Sequence, residues 1–273
     1  MTALVTDIPP LGYGTYPLMG AEACEATLLA IEVGYRHIDT AQWYGNETAI
    51  GEAVRRSGVT PSEIFVATKV HPDNLSPARF LPSVEESLAR LGGDRVDLLL
   101  IHWPPPDPAL FEPALEQLVA ARDEGLARRI GVSNFAAGQM ARARRAIGPA
   151  LACNQVEFHP YLDQSRLLAA SRETGVALSA YSSLARGKVL ADPAIVAIAD
   201  RMGRSASAVV LRWILQQGVL AMCQTRRREN AIRNLEALAF DLSVADMAAI
   251  SALSAANVRI VDLPALAPDW DRD

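Results

Sequence analysis

Short apolar runs rich in β-formers alternate along the chain with longer stretches whose apolar positions recur at helical spacing. Eight such runs stand out: "LGYGTY" at 11–16, "YRHIDT" at 35–40, "IFVATKV" at 64–70, "VDLLLIHW" at 96–103, "RIGVSN" at 129–134, "ACNQVEF" at 152–158, "VALSAY" at 176–181 and "VLAMCQT" at 219–225. After the first run, Ala23, Ala26, Ala30 and Val33 predict a helix over 21–34. Asn46 is suited to cap a helix reaching about Ser57, with Gly58 beyond it. "SPARFLPSVEESLARLGG" offers Ser76 as cap, Pro77 at the first helical position and glycines at the stop. Pro82 inside that segment marks either a kink or a later helix start. Further helices fit 108–124, 136–146 and 163–174, and the longer seventh gap has room for extra helical structure around 193–217. Beyond the eighth run, 228–238 and 243–254 read as helices, with Ser243 capping the second.

Strands that alternate with helices form a parallel sheet. Eight beats, with near-continuous apolar runs such as "VDLLLI", predict an α/β fold of the (β/α)8 TIM-barrel type. An open doubly wound sheet competes, but it usually carries a glycine-rich turn after its first strand. "GYGTYPLMG" lacks the G-x-G-x-x-G spacing. The 273 residues suit one such barrel, and there is no linker, low-complexity tract or repeat. The expectation is a single domain over 1–273 with a C-terminal tail segment.

Composition narrows the function classes. A net charge of −5 gives no case for a nucleic-acid surface. No apolar run approaches the roughly 18 residues of a membrane span. The start "MTALVTDIPP" lacks the basic and apolar regions of a secretory signal. Cys24, Cys153 and Cys223 are far apart and odd in number, which fits reduced, buried thiols in a cytoplasmic protein.

In barrels of this class the reacting groups lie at the C-terminal ends of the strands. Those ends carry Thr15 and Tyr16, Asp39, Lys69, His102, Ser133 and Asn134, Gln155 and Glu157, Tyr181, and Gln224 and Thr225. Side-chain parity puts His37 with Asp39, Ala67 with Lys69 and Leu100 with His102, so the acid, the lysine and the histidine of neighbouring strands converge. Tyr44, on the loop after Asp39, can reach back over the same mouth. Asp39 keeps Lys69 charged, and an ammonium beside the phenol is expected to lower the Tyr44 pKa from about 10. A neutral His102 would bind a substrate oxygen. The set suits protonation of a developing alkoxide and holds no strong nucleophile. Each residue also has a plain structural reading: Tyr44 a packing aromatic, Lys69 and Asp39 a rim pair, His102 and His37 interior histidines, Glu157 and His159 a structural pair. A metal-dependent hydrolase using His37, Asp39, His71, His102, Glu157 and His159 is one rival. A cofactor-binding regulator with little turnover is another.

"GYRHIDTAQWYGNE", "TKV", "DLLLIHWP", "GVSNF", "NQVEFHP" and "AYSSLARGK" resemble, in order, the signature blocks of the aldo-keto reductases, over roughly residues 11 to 240. The tail "RIVDLPALAPDWD" is similar to bacterial diketogulonate-reductase-like members. The resemblance implies a catalytic tetrad of Asp39, Tyr44, Lys69 and His102, with Tyr44 as general acid in reduction. It implies a nicotinamide at the barrel mouth, stacked on Tyr181, with Ser133, Asn134 and Gln155 on its carboxamide. Gly14, Thr15, Tyr16, Ser182 and Leu184 are implied as further cofactor contacts. Tyr16, Trp43, His71 and Trp103 would ring a pocket for a small-molecule carbonyl, broad because a long C-terminal specificity loop is short or absent. A monomer is the family expectation.

The eighth strand departs from the pattern. Members often carry a lysine, a serine, an arginine and Glu-Asn there, the lysine and arginine gripping the 2′-phosphate of NADPH. Here "CQTRRRENAIRN" puts Gln224, Thr225 and Asn230 at the first three places and Arg233-Asn234 at the last. Arg226, Arg227 or Arg228 can replace the missing charges, since a guanidinium binds phosphate bidentately. Asn234 would keep an adenine contact. NADPH is the expected cofactor, with NADH or dual use the alternative.

Overall fold

The computed structural model describes residues 7–270. Eight parallel strands close into a barrel in chain order: β1 (Leu11–Gly14), β2 (His37–Asp39), β3 (Phe65–Val70), β4 (Val96–Ile101), β5 (Ala127–Ser133), β6 (Leu151–Glu157), β7 (Ala177–Tyr181) and β8 (Leu220–Cys223). Each of the eight expected runs overlaps one of them, with β5 starting two residues and β6 one residue earlier than expected. Single helices follow the first six strands: α1 (Gly20–Val33), α2 (Glu47–Arg56), α3 (Pro77–Leu91), α4 (Phe111–Asp123), α5 (Ala137–Ile147) and α6 (Ser165–Thr174). The long seventh gap holds two helices, α7 (Pro193–Met202) and α8 (Ala206–Gln216), separated at Gly203, whose left-handed φ of 62° ends the first. After β8 come α9 (Arg228–Leu235) and α10 (Val244–Ser251).

Period-two alternation gives every strand an inner and an outer face. The outer faces and the helices share the main core. The inner faces fill the barrel with Phe65, Ala67, Leu98, Leu100, Cys153, Ala177, Leu220 and Met222, above Ile8. Two glycines on inner faces sit at close approaches, and Gly131, which faces backbone, cannot be replaced without a shift. A Cβ on Gly131 would meet the Cys153 carbonyl at 2.6 Å, and one on Gly12 would meet the Met222 sulfur at 2.4 Å. His37 belongs to this packing at the bottom of the barrel. It is buried, with its ring 4.7 Å from Phe65 and Nδ1 3.1 Å from the Pro9 carbonyl.

Three local expectations turn out differently. Asn46 precedes α2 but its side chain does not cap it. The buried amide donates to the Thr15 and Leu18 carbonyls and accepts from Thr40 Oγ1 at 2.6 Å, so it ties its own loop to the one after β1 instead. Ser76 has the extended backbone of a cap without a side-chain bond, and α3 runs unbroken through Pro82. Ser243 does cap α10, in a reciprocal arrangement with Asp246. The three cysteines are free and buried. Among the described residues no helix is long and apolar enough to cross a membrane. Residues 1–6 of the N-terminal stretch and Asp271 of the tail motif lie outside the described residues.

Candidate active site

β2 ends at Asp39, and three residues on the chain makes one 3₁₀ turn, Gln42–Tyr44, closed by Gly45 at φ 64°. That turn throws the Tyr44 ring back over the barrel mouth. Lys69 comes from the inner face of β3. His102 lies one residue past β4, its backbone N–H donating to the Val70 carbonyl at 3.2 Å. The buried Lys69 ammonium donates to Asp39 Oδ1 at 2.5 Å, to the Thr40 carbonyl at 2.9 Å and to the Tyr44 hydroxyl at 3.3 Å. The His102 ring packs edge-on to Tyr44 at 5.6 Å between centroids. The four side chains the sequence singled out therefore meet.

Their protonation follows from burial and charge. Burial alone would lower the Lys69 pKa, but Asp39 and Tyr44 outweigh it and hold the ammonium above the ordinary lysine value. His102 is held well below the ordinary imidazole value, by burial first and then by Lys69 and His71, so it is neutral. Tyr44 corrects the sequence expectation. Burial of its hydroxyl raises its pKa, and Lys69 only partly offsets this, so the net direction is up. A phenol with a raised pKa is fully protonated near neutral pH, which suits a proton donor. Beneath the site the Cys153 thiol is pushed up to about 12 by burial and by Asp39, which keeps it an inert packing group.

The neighbouring strand ends form one network. Gln155 Nε2 donates to Asp39 Oδ2 at 2.8 Å, and Ser133 Oγ donates to the Gln155 carbonyl at 2.8 Å. Asn134, at φ 63°, donates to the His102 carbonyl at 2.9 Å and accepts from the Tyr181 hydroxyl at 2.7 Å. Tyr181 is half-buried, as are Gly14, Ser182 and Leu184 nearby in sequence on the β1 and β7 ends. Thr15 is fully buried and its hydroxyl is spent on the Asp39 carbonyl at 3.0 Å. On the pocket side, Tyr16 is exposed with its ring 5.1 Å from Tyr44. Trp43 lies 4.7 Å from His71 and 5.7 Å from His102. His71 thus lines this wall. Trp103 is buried, with Trp270 of the tail packed against its edge at 6.1 Å.

The tail is short, yet it crosses to the mouth. The Val258 N–H donates to the Tyr161 carbonyl at 2.7 Å. Buried Glu157 accepts the Ile260 and Val261 N–H groups at 2.6 and 2.7 Å and pairs with His159 at 2.8 Å. Glu157 and His159 are thus a structural pair that docks the tail. With His37 at the opposite end of the barrel, the groups of the metal-hydrolase rival do not converge. Among the described residues no three His, Cys, Asp or Glu side chains form a metal-ligand set.

At the β8 end, Gln224 and Thr225 are half-buried, and the Thr225 carbonyl accepts from the Tyr13 hydroxyl at 2.8 Å. Arg226 pairs with Glu22 and Arg228 with Glu32 at 3.0 Å, both on α1. Arg227 and Asn230 are exposed, and among the described residues no carboxylate pairs with Arg227. Asn234 is buried, with Nδ2 3.6 Å from Cys223 Sγ and Oδ1 without a partner. The sequence had offered no sign of the Thr40 carbonyl, of Trp270 against Trp103, or of Gln42, whose partners lie about forty residues away. The pairing of Gln155 with Asp39 was discoverable, since parity aims both into the barrel.

Residues 10–255 match the model of the aldo/keto reductase family. Methylglyoxal reductase DkgB of Escherichia coli O157:H7 is 40% identical over 266 residues, 97% of this chain and 99% of that protein. An aldo-keto reductase of Mycolicibacterium vanbaalenii is 40% identical over 255 residues, 92% of this chain and 91% of its own. A crystal structure provisionally named a 2,5-diketo-D-gluconic acid reductase B superposes with a TM-score of 0.94 at 42% identity, covering 97% of this chain and 94% of that one. A Bombyx mori aldo-keto reductase in complex with NADP gives 0.86 at 31% identity, over 94% and 92% of the two chains. The chain belongs to the aldo/keto reductase family. It is an NAD(P)H-dependent oxidoreductase that reduces aldehydes and ketones to alcohols.

Proposed function

We propose that Tyr44 is the proton donor of this reductase, acting on small aldehydes and ketones, dicarbonyls and keto-sugars among them. The observation that carries the reading is the Lys69 ammonium bonded at once to Asp39, Thr40 and the Tyr44 hydroxyl. A positive charge so placed stabilises the phenolate that remains once the proton has passed to the carbonyl oxygen. Neutral His102 has one N–H to donate to that same oxygen. Asp39, locked by Lys69 and Gln155, acts through the ammonium and does not touch substrate. In alcohol oxidation Tyr44 takes the proton back. The names of the methylglyoxal and diketogluconate reductases support small polar carbonyls, as does a wall made of Tyr16, Trp43 and His71 with Tyr16 exposed.

The rim residues fit a nicotinamide. Tyr181 offers a half-exposed ring, Asn134 Oδ1 keeps a second acceptor lone pair beside it, and Ser133 and Gln155 follow in the same network. When bound, the reduced nicotinamide supplies the hydride. NADPH is the preferred cofactor in this reading, with Arg227 taking the 2′-phosphate because Glu22 and Glu32 already engage its neighbours. Gln224 and Asn230, uncharged where relatives carry charge, favour NADH as the second reading. The reading extends to one domain, which the closed barrel supports, in a cytoplasmic protein, which the three free, buried thiols support, and to a monomer by the family resemblance alone.

Oxidation of NADPH and NADH is the test, with a panel of aldehydes, dicarbonyls and keto-sugars, for wild type and Arg227→Ala. We expect turnover across small carbonyls and a loss of roughly ten-fold in NADPH affinity in the variant, with NADH little changed. Turnover confined to one bulky steroid would sink the substrate reading. Unchanged NADPH affinity would remove Arg227.

A further inference from the structure

Gln42 opens the turn that ends at Tyr44, and its carboxamide reaches two other elements. Oε1 accepts the His71 backbone N–H at 2.8 Å and Asn74 Nδ2 at 3.0 Å, both on the segment after β3. Nε2 donates into the middle of α3, to the Ser83 carbonyl at 2.9 Å and to the Ser83 and Ser87 hydroxyls at 3.2 and 3.1 Å. Both acceptor lone pairs and both amide hydrogens are engaged. The receiving hydroxyls are themselves fixed: Ser83 donates to the Phe80 carbonyl at 2.8 Å and Ser87 to the Ser83 carbonyl at 3.1 Å.

Lys69 holds the Tyr44 hydroxyl and Asn46 ties down the far side of the loop, but among the described residues only Gln42 joins the turn itself to a helix. The turn's own backbone bonds are Tyr44 N–H to the Ala41 carbonyl at 3.0 Å and Gly45 N–H to the Gln42 carbonyl at 3.3 Å. Trp43 is exposed and Tyr44 half-exposed, and their ring contacts are with other rim side chains, His71, His102 and Tyr16. A short turn bearing two such rings keeps its geometry only if something rigid anchors it. α3 is that anchor, and Gln42 is the link. The same amide sets the backbone of His71, whose ring packs on Trp43 at 4.7 Å.

We propose that Gln42 is a positioning residue for carbonyl reduction. It clamps the turn 42–44 to α3 so that the Tyr44 hydroxyl stands beside Lys69 and His102, and it sets His71 against Trp43 as one wall of the carbonyl pocket. The proposal rests on Tyr44 being the proton donor.

The experiment compares Gln42→Leu, the double variant Ser83→Ala/Ser87→Ala and Tyr44→Phe with wild type. Steady-state kinetics are measured with NADPH and with NADPH deuterated at the transferred hydrogen, together with NADPH binding by fluorescence quenching. Misplacing a proton donor slows chemistry, so for Gln42→Leu kcat falls about ten- to a hundred-fold and the deuterium effect on kcat grows. NADPH binding stays within about two-fold, because the turn lies on the substrate side. The serine pair, which leaves the His71 and Asn74 bonds intact, moves the same quantities the same way by less. A kcat within about two-fold of wild type with an unchanged isotope effect overturns the proposal, as does a loss confined to melting temperature. If Gln42→Leu does not fold, the serine pair decides alone by the same criteria. Inactive Tyr44→Phe beside a normal Gln42→Leu sinks only the positioning role; active Tyr44→Phe sinks the proton-donor reading and this one with it.

Discussion

Replacing Lys69 by methionine keeps most of the side-chain volume and removes one charge. In the protein that ammonium is 3.3 Å from the Tyr44 oxygen, and Coulomb's law with an effective dielectric of about 20 gives roughly 5 kcal/mol of attraction for the phenolate. Only the phenolate gains it, so the whole term acts on proton transfer. Burial, which already raises the Tyr44 pKa, is then unopposed. An energy of about 5 kcal/mol corresponds to between three and four powers of ten in rate. The stability cost is separate. Asp39 loses its cation and keeps Gln155, and an uncompensated buried carboxylate costs about 3–5 kcal/mol. The double variant Lys69→Met/Asp39→Asn separates the two effects. It regains most of the stability, read by urea unfolding, and none of the turnover, read by consumption of reduced cofactor under saturating carbonyl. A Lys69→Met enzyme that keeps a tenth of wild-type kcat, or a double variant that regains turnover, would refute the electrostatic argument.

Two further outcomes follow from the same geometry. Glu157→Gln turns one acceptor oxygen into a donor facing the tail amides of Ile260 or Val261, so docking weakens by about 3 kcal/mol. Trp103 then loses its cover, the carbonyl KM rises and the tail becomes a protease site, while NADPH binding is unchanged. Stability also depends on pH through His37 and His102, both held below the ordinary imidazole value mainly by burial. The unfolded chain binds protons that the native one refuses. Stability is therefore full above about pH 6.5 and falls on acidification below it, with a slope of up to about 1.4 kcal/mol per pH unit for each histidine. Unfolding free energies that are flat from pH 7 to 5 would contradict the buried neutral assignment.

The barrel and the four converging side chains were legible because both follow from alternation. Once "YRHIDT", "IFVATKV" and "VDLLLIHW" are strands, parity alone aims Asp39, Lys69 and His102 at one point. What parity cannot give is solvent. The Tyr44 pKa was read from its charged neighbour, while its actual direction is set by how deeply the hydroxyl is buried, a tertiary quantity. Asn46 had the right type and place for a helix cap, but it is buried beneath the Thr15 and Thr40 loops, where its amide has better partners. Asn234 points its Nδ2 at the Cys223 sulfur, a contact between β8 and α9 that no local pattern encodes. The short tail leads one to expect a broad pocket and says nothing of where the tail docks. Its docking depends on backbone amides meeting a buried carboxylate about a hundred residues away, which no local pattern encodes.

The central claim is that the Tyr44 phenol supplies the proton. Tyr44→Phe removes one oxygen and leaves the ring, Lys69, Asp39 and His102 in place. We expect NADPH to bind the variant as it binds wild type, by fluorescence quenching, while single-turnover reduction of a small aldehyde slows by a factor of about a thousand or more. Reduction at the wild-type rate by a variant that binds cofactor normally would contradict the account.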